Sequence, residues 1–192
     1  ALVILAIAVS MSVSHYFISS GYEKNIKQTN IVMAESLAAN IGQFMQNAYN
    51  LNAQLAVNAD MLGNNREKQR KILEDTTKRY PFFQLLAIHT VNGDQTARSS
   101  GVLANRADRW WFKKFMTEKK SYITKSYYSV AGNMAVTTAV NGIYSDDKLA
   151  GVMMADIETS TLQQMVEKYN FGTGSYAYLL DGDGVVVAHP DK

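Results

Sequence analysis

The sequence of 192 residues predicts an α+β fold, in which one long helix precedes an antiparallel sheet with flanking helices. Two changes of pattern support this. Between Gly21 and Leu62 there is no proline, and apolar residues recur at helical spacing. After Pro81 the apolar period becomes two, which is typical of strands, and turn signals separate the runs. Hairpins with flanking helices indicate the α+β class rather than a doubly wound sheet.

Residues 1–20 predict a transmembrane helix. They carry no charge and are rich in aliphatic side chains, and about 20 apolar residues suffice to span the hydrocarbon of a bilayer. Tyr16 and Phe17 fall where aromatic residues mark the membrane interface. A cleaved signal peptide is the alternative, but it requires a basic region and a small-residue cleavage site. The chain begins without Met, so we expect its natural start to lie upstream.

Residues 21–62 predict a stalk helix. A helix of about 40 residues rises about 60 Å, which is more than a small domain needs. We expect part of its apolar stripe to pack on the domain that follows, and part to pack on the same helix of a second copy, giving a homodimer. The stripe comprises Ile26, Met33, Leu37, Ile41, Phe44 or Met45, Ala48, Leu51, Leu55 and Met61. We expect Gly63-Asn64-Asn65 to end the helix.

Residues 63–170 predict a lobe built on an antiparallel sheet. The Asn92-Gly93 pair is a strong type I′ hairpin signal, and Ser160 and Gln163 have the spacing of a capping box. The predicted elements are a charged helix over 66–79, strands over 82–91 and 95–99, a helix from Arg109 to about Lys119, strands over 122–129, 134–143 and 149–157, and a helix from Thr159 to about Asn170.

Residues 171–192 predict a further hairpin, with strands over 175–180 and 185–188. A lone hairpin is marginal in water, so we expect these residues to start a second lobe that continues beyond Lys192. The turn Asp181-Gly182-Asp183-Gly184 is similar to a calcium loop, but it lacks the further oxygen ligands and the closing Glu of an EF-hand. A hairpin turn without metal is therefore expected.

Composition excludes several classes of function. The formal net charge of +2 is spread along the chain, so no nucleic-acid partner is indicated. The chain has no cysteine, which excludes disulfides and thiolate metal or redox sites. The three histidines are scattered, and His89 and His189 are expected in core or loop positions. No catalytic arrangement can be assembled, so we predict no enzyme activity and no cofactor.

Asp108-Arg109-Trp110-Trp111-Phe112 predicts one wall of a ligand pocket. We expect Arg109 in the first turn of a helix, where the macrodipole favours an anion rather than a cation. A guanidinium there, beside free backbone N–H groups, is well placed if both hold a ligand carboxylate. The alternative is that Arg109 pairs with Asp108 while the tryptophans fill a core.

Three stretches carry a family resemblance: Arg109 to Phe112, the strand Gly151 to Ile157, and Gly174-Ser175-Tyr176-Ala177-Tyr178 through to His189-Pro190-Asp191. With the order of elements, they resemble the double Cache sensor domain of bacterial chemoreceptors, sensor kinases and cyclic-di-GMP enzymes. The resemblance implies a PAS-like membrane-distal lobe over 63–170, the start of a membrane-proximal lobe over 171–192, and a sensor outside the cytoplasm, anchored in the cell (inner) membrane. It favours a chemoreceptor. The alternatives are a sensor for a histidine kinase or diguanylate cyclase, and an interaction module that recognises a binding protein.

The same resemblance implies a site in the distal lobe. Family members that bind amino acids have an Arg, a Trp two residues later, an adjacent aromatic residue, a Tyr in the next strand and an Asp ending a later strand. These positions are Arg109, Trp111, Phe112, Tyr127 and Asp156. By this resemblance, Arg109 holds the ligand carboxylate, Asp156 holds the ammonium, and Trp111 and Tyr127 enclose the ligand backbone.

Two departures from the family pattern leave the ligand open. Phe112 lacks the hydroxyl of the usual Tyr, and Ala104 stands where another Tyr is common, so the pocket could be larger or prefer a small organic acid or an amine. Tyr128 is the alternative to Tyr127, because the two side chains point to opposite faces of a strand. Asp156 could instead cap the helix that follows it.

Overall fold

The computed structural model describes residues 2–63, 65–169, 171–172 and 174–190. The helices are α1 (Leu2–Ala56), α2 (Ala59–Leu62), α3 (Arg66–Arg79), α4 (Trp110–Glu118) and α5 (Thr159–Glu167). The strands are β1 (Phe83–Thr90), β2 (Gln95–Arg98), β3 (Tyr122–Ile123), β4 (Tyr127–Ser129), β5 (Met134–Ser145), β6 (Lys148–Glu158), β7 (Leu179–Leu180) and β8 (Val186–Ala188). This is the predicted α+β fold.

The predicted membrane segment and stalk form one continuous helix, α1, of 55 residues. It ends at Ala56, so the prediction of a helix running to Leu62 was wrong. The side chain of Asn58 accepts a hydrogen bond from the backbone N–H of Asp60 and caps the separate helix α2. Such a local side-chain acceptor competes with helix continuation. The predicted breaker Asn64, the predicted helix end Asn170, and Asp191 lie outside the described residues.

The two halves of α1 have different surroundings. Its N-terminal half contains the one stretch of the described residues that is long and apolar enough to cross a membrane, with a mean hydropathy of 1.6 and no buried residue. From Leu37 onward one face is covered: Leu37 and Ile41 pack against α5 and the β8 region, and Ala48 and Ala56 pack under the main sheet. The predicted packing of the stripe on the following domain is confirmed there.

The main sheet is antiparallel, in the order β2-β1-β6-β5-β3, with β4 also paired to β5. The single strand predicted over 122–129 was wrong, because β3 and β4 are separate. Between them the hydroxyl of Thr124 accepts a hydrogen bond from the backbone N–H of Thr138 at 2.8 Å. A side chain thus replaces one backbone bond of the ladder, and the chain leaves the strand before Tyr127.

Strand β6 separates two apolar layers. Met153, Ala155 and Ile157 face α1 and α3 in one cluster of buried residues. Val152 and Met154 face α4 on the other side, where the residues buried with them include Trp111, Phe112 and Phe115. Because side chains alternate along a strand, Asp156 lies on the α4 side. The sheet is therefore one wall between the long helix and the region of the predicted pocket.

The predicted capping box of α5 was wrong. Glu158 is the N-cap residue and makes no side-chain cap bond. Ser160 donates its hydroxyl to the Glu158 carboxylate instead. The Gln163 amide bonds the backbone N–H and C=O of His189 at 2.8 and 2.6 Å. Gln163 therefore joins α5 to the segment after β8 rather than closing its own helix end.

Candidate ligand-binding site

Four of the five predicted site residues meet at one small cavity. Arg109, Trp111, Tyr127 and Asp156 all line it, on the face of the sheet opposite α1. Its volume is about 20 Å³, which is room for about one water molecule. The site is therefore assembled but closed around the space that a ligand would need.

Arg109 lies one residue before α4 rather than in its first turn. It is the N-cap residue, with extended backbone angles and no side-chain cap bond. Its half-buried guanidinium makes no hydrogen bond or ion pair with any residue that the structure describes. The alternative pairing with Asp108 is therefore not observed, and the unpaired guanidinium of Arg109 lines the cavity.

Asp156 is the acidic wall of the cavity and is only 1% exposed. Its carboxylate accepts hydrogen bonds from the hydroxyls of Thr138 at 2.5 Å, Ser129 at 2.9 Å and Tyr127 at 3.4 Å. Burial raises the pKa of Asp156 above its usual range, while these hydroxyls act to lower it. No cation pairs with it among the described residues, and Glu158, not Asp156, precedes α5. Its polar environment would suit an added ammonium group.

Tyr127 is the tyrosine that reaches the site, as predicted, because Tyr128 is 71% exposed on the opposite face of β4. The hydroxyl of Tyr127 lies 2.7 Å from that of Thr138. Since the Thr138 proton is donated to Asp156, Tyr127 is the donor in this pair, and its one proton is shared between Thr138 at 2.7 Å and Asp156 at 3.4 Å. The ring of Trp110 meets the Tyr127 ring edge-on at 5.4 Å.

The two aromatic residues of α4 are divided between cavity and core. Trp111 is buried and lines the cavity. Phe112 does not line it: its ring packs against Trp111 at 5.8 Å and against His89 at 6.0 Å. The hydroxyl missing at Phe112 would therefore sit in an apolar layer behind the site. Ala104 also stays away from the cavity, and its backbone pairs with Gln95.

His89 is a core residue, as expected. Gln95 accepts the N–H of Ala104 and the guanidinium of Arg98 through its side-chain oxygen. Its amide nitrogen, 3.2 Å from His89 Nε2, must therefore donate to the imidazole. Burial lowers the pKa of His89 to about 4. The histidine is neutral at physiological pH, and its hydrogen bond to Gln95 holds β2 beside the cavity.

Sequence reasoning missed Ser129 and Arg106, which line the cavity, and Thr138, which bonds Asp156 from the next strand. Ser129 shares the inward face of β4 with Tyr127, two residues earlier, so alternation alone could have identified it. Thr138 is the cross-strand partner of Asp156 in the β5–β6 ladder, which becomes visible only once the register is known. Arg106 lies three residues before Arg109, and both line the cavity.

Much of the remaining wall is apolar. Val130 and Ala131, in the turn between β4 and β5, cover the cavity, and Val130 is 60% exposed. A displacement of this turn would enlarge the space without disturbing the sheet. Among the described residues there is no cluster of three potential metal-ligating side chains. The chemistry that the arrangement offers is recognition of opposite charges by a guanidinium and a carboxylate.

Comparisons with known proteins concern the family and the fold. A family model described as a Cache domain matches residues 18–192. The methyl-accepting chemotaxis protein McpG of Pseudomonas putida is 25% identical over 172 residues, which cover 88% of this chain and 24% of McpG. The chain spans 13% to 24% of the length of the first curated relatives it matches.

Two solved structures share the fold. One is the ligand-binding domain of the Campylobacter jejuni chemoreceptor Tlp3 in complex with 4-methylisoleucine, with a TM-score of 0.70, 17% identity, and coverage of 87% of this chain and 70% of that one. The other is the ligand-binding domain of the Pseudomonas fluorescens chemoreceptor CtaA in complex with L-serine, with a TM-score of 0.67, 20% identity, and coverage of 82% of this chain and 69% of that one. Neither description names an enzyme.

Proposed function

Since the chain belongs to the Cache domain family, we propose that it is the extracytoplasmic sensor region of a membrane-anchored chemoreceptor and binds a small amino acid or related carboxylate. One observation carries the proposal: a guanidinium and a buried carboxylate, from separate elements of the fold, line the same cavity. An amino acid carries an ammonium group and a carboxylate on one carbon atom, and the Asp156 carboxylate and the Arg109 guanidinium can bind them together.

Each group has a distinct role in this proposal. Arg109 holds the ligand carboxylate through its planar fork, assisted by the N-terminal end of α4. Asp156 holds the ammonium group, and the hydroxyls of Thr138 and Ser129 keep its carboxylate oriented. Trp111 and Tyr127 enclose the ligand backbone. The relatives Tlp3 and CtaA, with an amino acid or an amino-acid analogue bound, have the same fold, which supports this class of ligand.

The small cavity supports a signalling role. A volume of about 20 Å³ is too small for an amino acid, so binding requires a second, more open arrangement. A ligand shifts the population of states only when it binds them unequally. We propose that the turn holding Val130 and Ala131 moves to admit the ligand, and that the empty and occupied arrangements are the two signalling states.

The proposed organisation follows the chain. Residues 1–20 span the cell (inner) membrane, residues 21–62 form the stalk, residues 63–170 form the membrane-distal lobe, and residues 171–192 begin a membrane-proximal lobe. The exposed apolar stripe on the N-terminal half of α1 forms a homodimer with a second copy. The region binds its ligand without chemical turnover, and neither a cofactor nor a nucleic acid takes part.

The experiment is a titration of the full chain, reconstituted in lipid nanodiscs, with a panel of amino acids and small carboxylates by calorimetry. We expect at least one ligand to bind. Arg109→Ala removes charge-assisted hydrogen bonds worth about 3 kcal/mol, so affinity should fall by about 100-fold. Asp156→Ala should weaken ligands that carry an ammonium group. Arg79→Ala, which removes an exposed guanidinium far from the cavity, is the matched control.

Two results would contradict the proposal. The first is that nothing on the panel binds the wild-type chain. The second is that a ligand binds and both Arg109→Ala and Asp156→Ala keep its affinity, which would place the binding site elsewhere.

A further inference from the structure

The cavity carries more positive charge than a neutral zwitterion needs. Arg106 and Arg109 both line it, and Asp156 is the only acid among its lining residues. Arg98, which is 8% exposed, lies directly behind, bonded to the cavity residue Gln95. Two guanidiniums and one carboxylate give the lining a net charge of +1 when Asp156 is ionised, and Arg98 adds to this.

None of these three guanidiniums forms an ion pair with an acid among the described residues. Arg106 and Arg109 make no side-chain hydrogen bond or ion pair within the part of the chain that the structure describes. Arg98 donates only to neutral oxygens, those of Ser100, Val102 and Gln95. Burial lowers the pKa of Arg98, and the nearby charge of Arg106 lowers it further, while the charge of Asp156 acts in the opposite direction. The positive charges repel one another when the cavity is empty.

Other acids do not offset this excess. Asp108 is exposed, and Asp94 is exposed and accepts a hydrogen bond from Asn105. Neither lines the cavity. Arg106 and Arg109 are half-buried, so solvent screens their charges while the cavity is empty. A ligand that excludes this water has to supply the compensating negative charge, because an unpaired charge removed from water is costly.

The backbone places the two arginines together. The backbone N–H of Arg109 donates to the C=O of Arg106 at 3.1 Å, which closes a turn. The N–H of Arg106 in turn donates to the C=O of Gly93 at 2.8 Å. Gly93 has a φ of +85°, and a Cβ atom there would lie 2.5 Å from the backbone nitrogen of Ala107. The turn is therefore packed tightly on the β1–β2 hairpin, so Arg106 is a fixed part of the wall.

We propose that the ligand carries two anionic groups, with one bound by Arg109 and the second by Arg106, and an ammonium group bound by Asp156. This inference rests on the proposed function and narrows its ligand class to acidic amino acids. Such a ligand has a net charge of −1, which matches the net charge of +1 on the lining. A neutral amino acid leaves Arg106 unpaired. A dicarboxylate without an ammonium group leaves Asp156 without a cation.

The test compares acids with their amides, which have nearly the same shape. Aspartate against asparagine, and glutamate against glutamine, are titrated into the full chain in nanodiscs. We expect the better-fitting acid to bind about 30-fold more tightly than its amide. The amide lacks the second carboxylate and so cannot form charge-assisted hydrogen bonds with the guanidinium of Arg106. Succinate, which lacks the ammonium group, should bind more weakly than aspartate. Arg106→Gln should reduce the acid-to-amide ratio to about one, whereas Arg79→Gln should leave it unchanged.

The ratio is measured within one variant, so a loss of folded protein affects both ligands equally. If the wild-type chain binds asparagine and glutamine as tightly as the acids, or if Arg106→Gln keeps the ratio, the second anionic subsite is wrong while the Arg109–Asp156 pocket stands. If succinate binds as tightly as aspartate, the role given to the ammonium group is wrong. If no amino acid or carboxylate binds, the proposed function fails as well.

Discussion

Replacing Asn52 tests how the long helix is held against the sheet that forms the pocket wall. Asn52 is on α1 and is 0% exposed. Its amide nitrogen lies 2.7 Å from the side-chain oxygen of Asn141, 3.1 Å from the C=O of Ala139 and 3.3 Å from the C=O of Met153. One side chain thus bonds both β5 and β6. Asn52→Ala leaves these buried acceptors without their donor.

The expected magnitude follows from the buried acceptors. Leaving a buried polar group unpaired costs about 1–3 kcal/mol, and the small cavity left by the truncation adds to this. We expect a loss of about 2–4 kcal/mol. For a chain of this size each kcal/mol lowers the midpoint of thermal unfolding by about 2–4 °C, so the midpoint should fall by roughly 5–15 °C. Intrinsic fluorescence of the chain in nanodiscs measures it.

The matched control is Asn47→Ala on the same helix. Asn47 is exposed and accepts a hydrogen bond only from Gln43 in the helix itself, so the expected cost is below about 0.5 kcal/mol. A double-mutant cycle of Asn52→Ala with Asn141→Ala should show a coupling of about 1 kcal/mol. If Asn52→Ala unfolds within about 1 °C of the control, or if the cycle shows no coupling, the reasoning about the helix-to-sheet bond is refuted.

Three further predictions concern the pocket and the stalk. Burial raises the pKa of Asp156, and a bound ammonium group would lower it. Affinity for amino acids should therefore rise as the pH increases above the usual pKa range of a carboxylic acid. Asp156→Asn should remove this dependence in titrations at a series of pH values. Gly93→Ala should destabilise the chain by about 2 kcal/mol or more and weaken ligand binding, since the added Cβ would lie 2.5 Å from a backbone atom. Gly182→Ala is the control, because nothing lies within 4 Å of its added Cβ. In the same melting and titration assays it should change neither stability nor binding. In this cysteine-free chain, Ile26→Cys, at an exposed apolar position, should form a disulfide-linked dimer on mild oxidation, and Gln28→Cys on the opposite side of α1 should not; equal cross-linking would contradict a dimer along this face.

The fold class was predicted correctly, and four of the five proposed site residues line one cavity, because their signals are local or follow from the family resemblance. The apolar stripe of α1 and the period of two after Pro81 each extend over many residues. Arg109 and Trp111 lie in one short motif, and the resemblance supplied Tyr127 and Asp156. Alternation along β6 puts Asp156 on the same face as Val152 and Met154, which the structure shows to be the face away from α1.

The misses depend on contacts between distant parts of the chain. The bonds from Asn52 to Ala139 and Met153 span 87 and 101 residues, and no local pattern marks a buried asparagine in a helix. The Thr124 hydroxyl replaces a backbone acceptor of the sheet only because the N–H of Thr138 lies opposite it. The family resemblance placed Phe112 at the cavity beside Trp111, but a helix turns about 100° per residue, so adjacent side chains point in different directions.

The unbroken length of α1 has a mechanical consequence. Helix α1 runs from Leu2 to Ala56 without interruption, a distance of about 80 Å. The bonds from Asn52 attach it near one end to the two strands that carry Thr138 and Asp156, and its packing on the lobe extends back to Leu37. The part before Leu37 projects by about 50 Å, so a tilt of one degree of the packed part displaces the far end by roughly 0.9 Å. A rearrangement at the pocket too small to change the fold would thus be magnified by this lever before it reaches the apolar end of the helix.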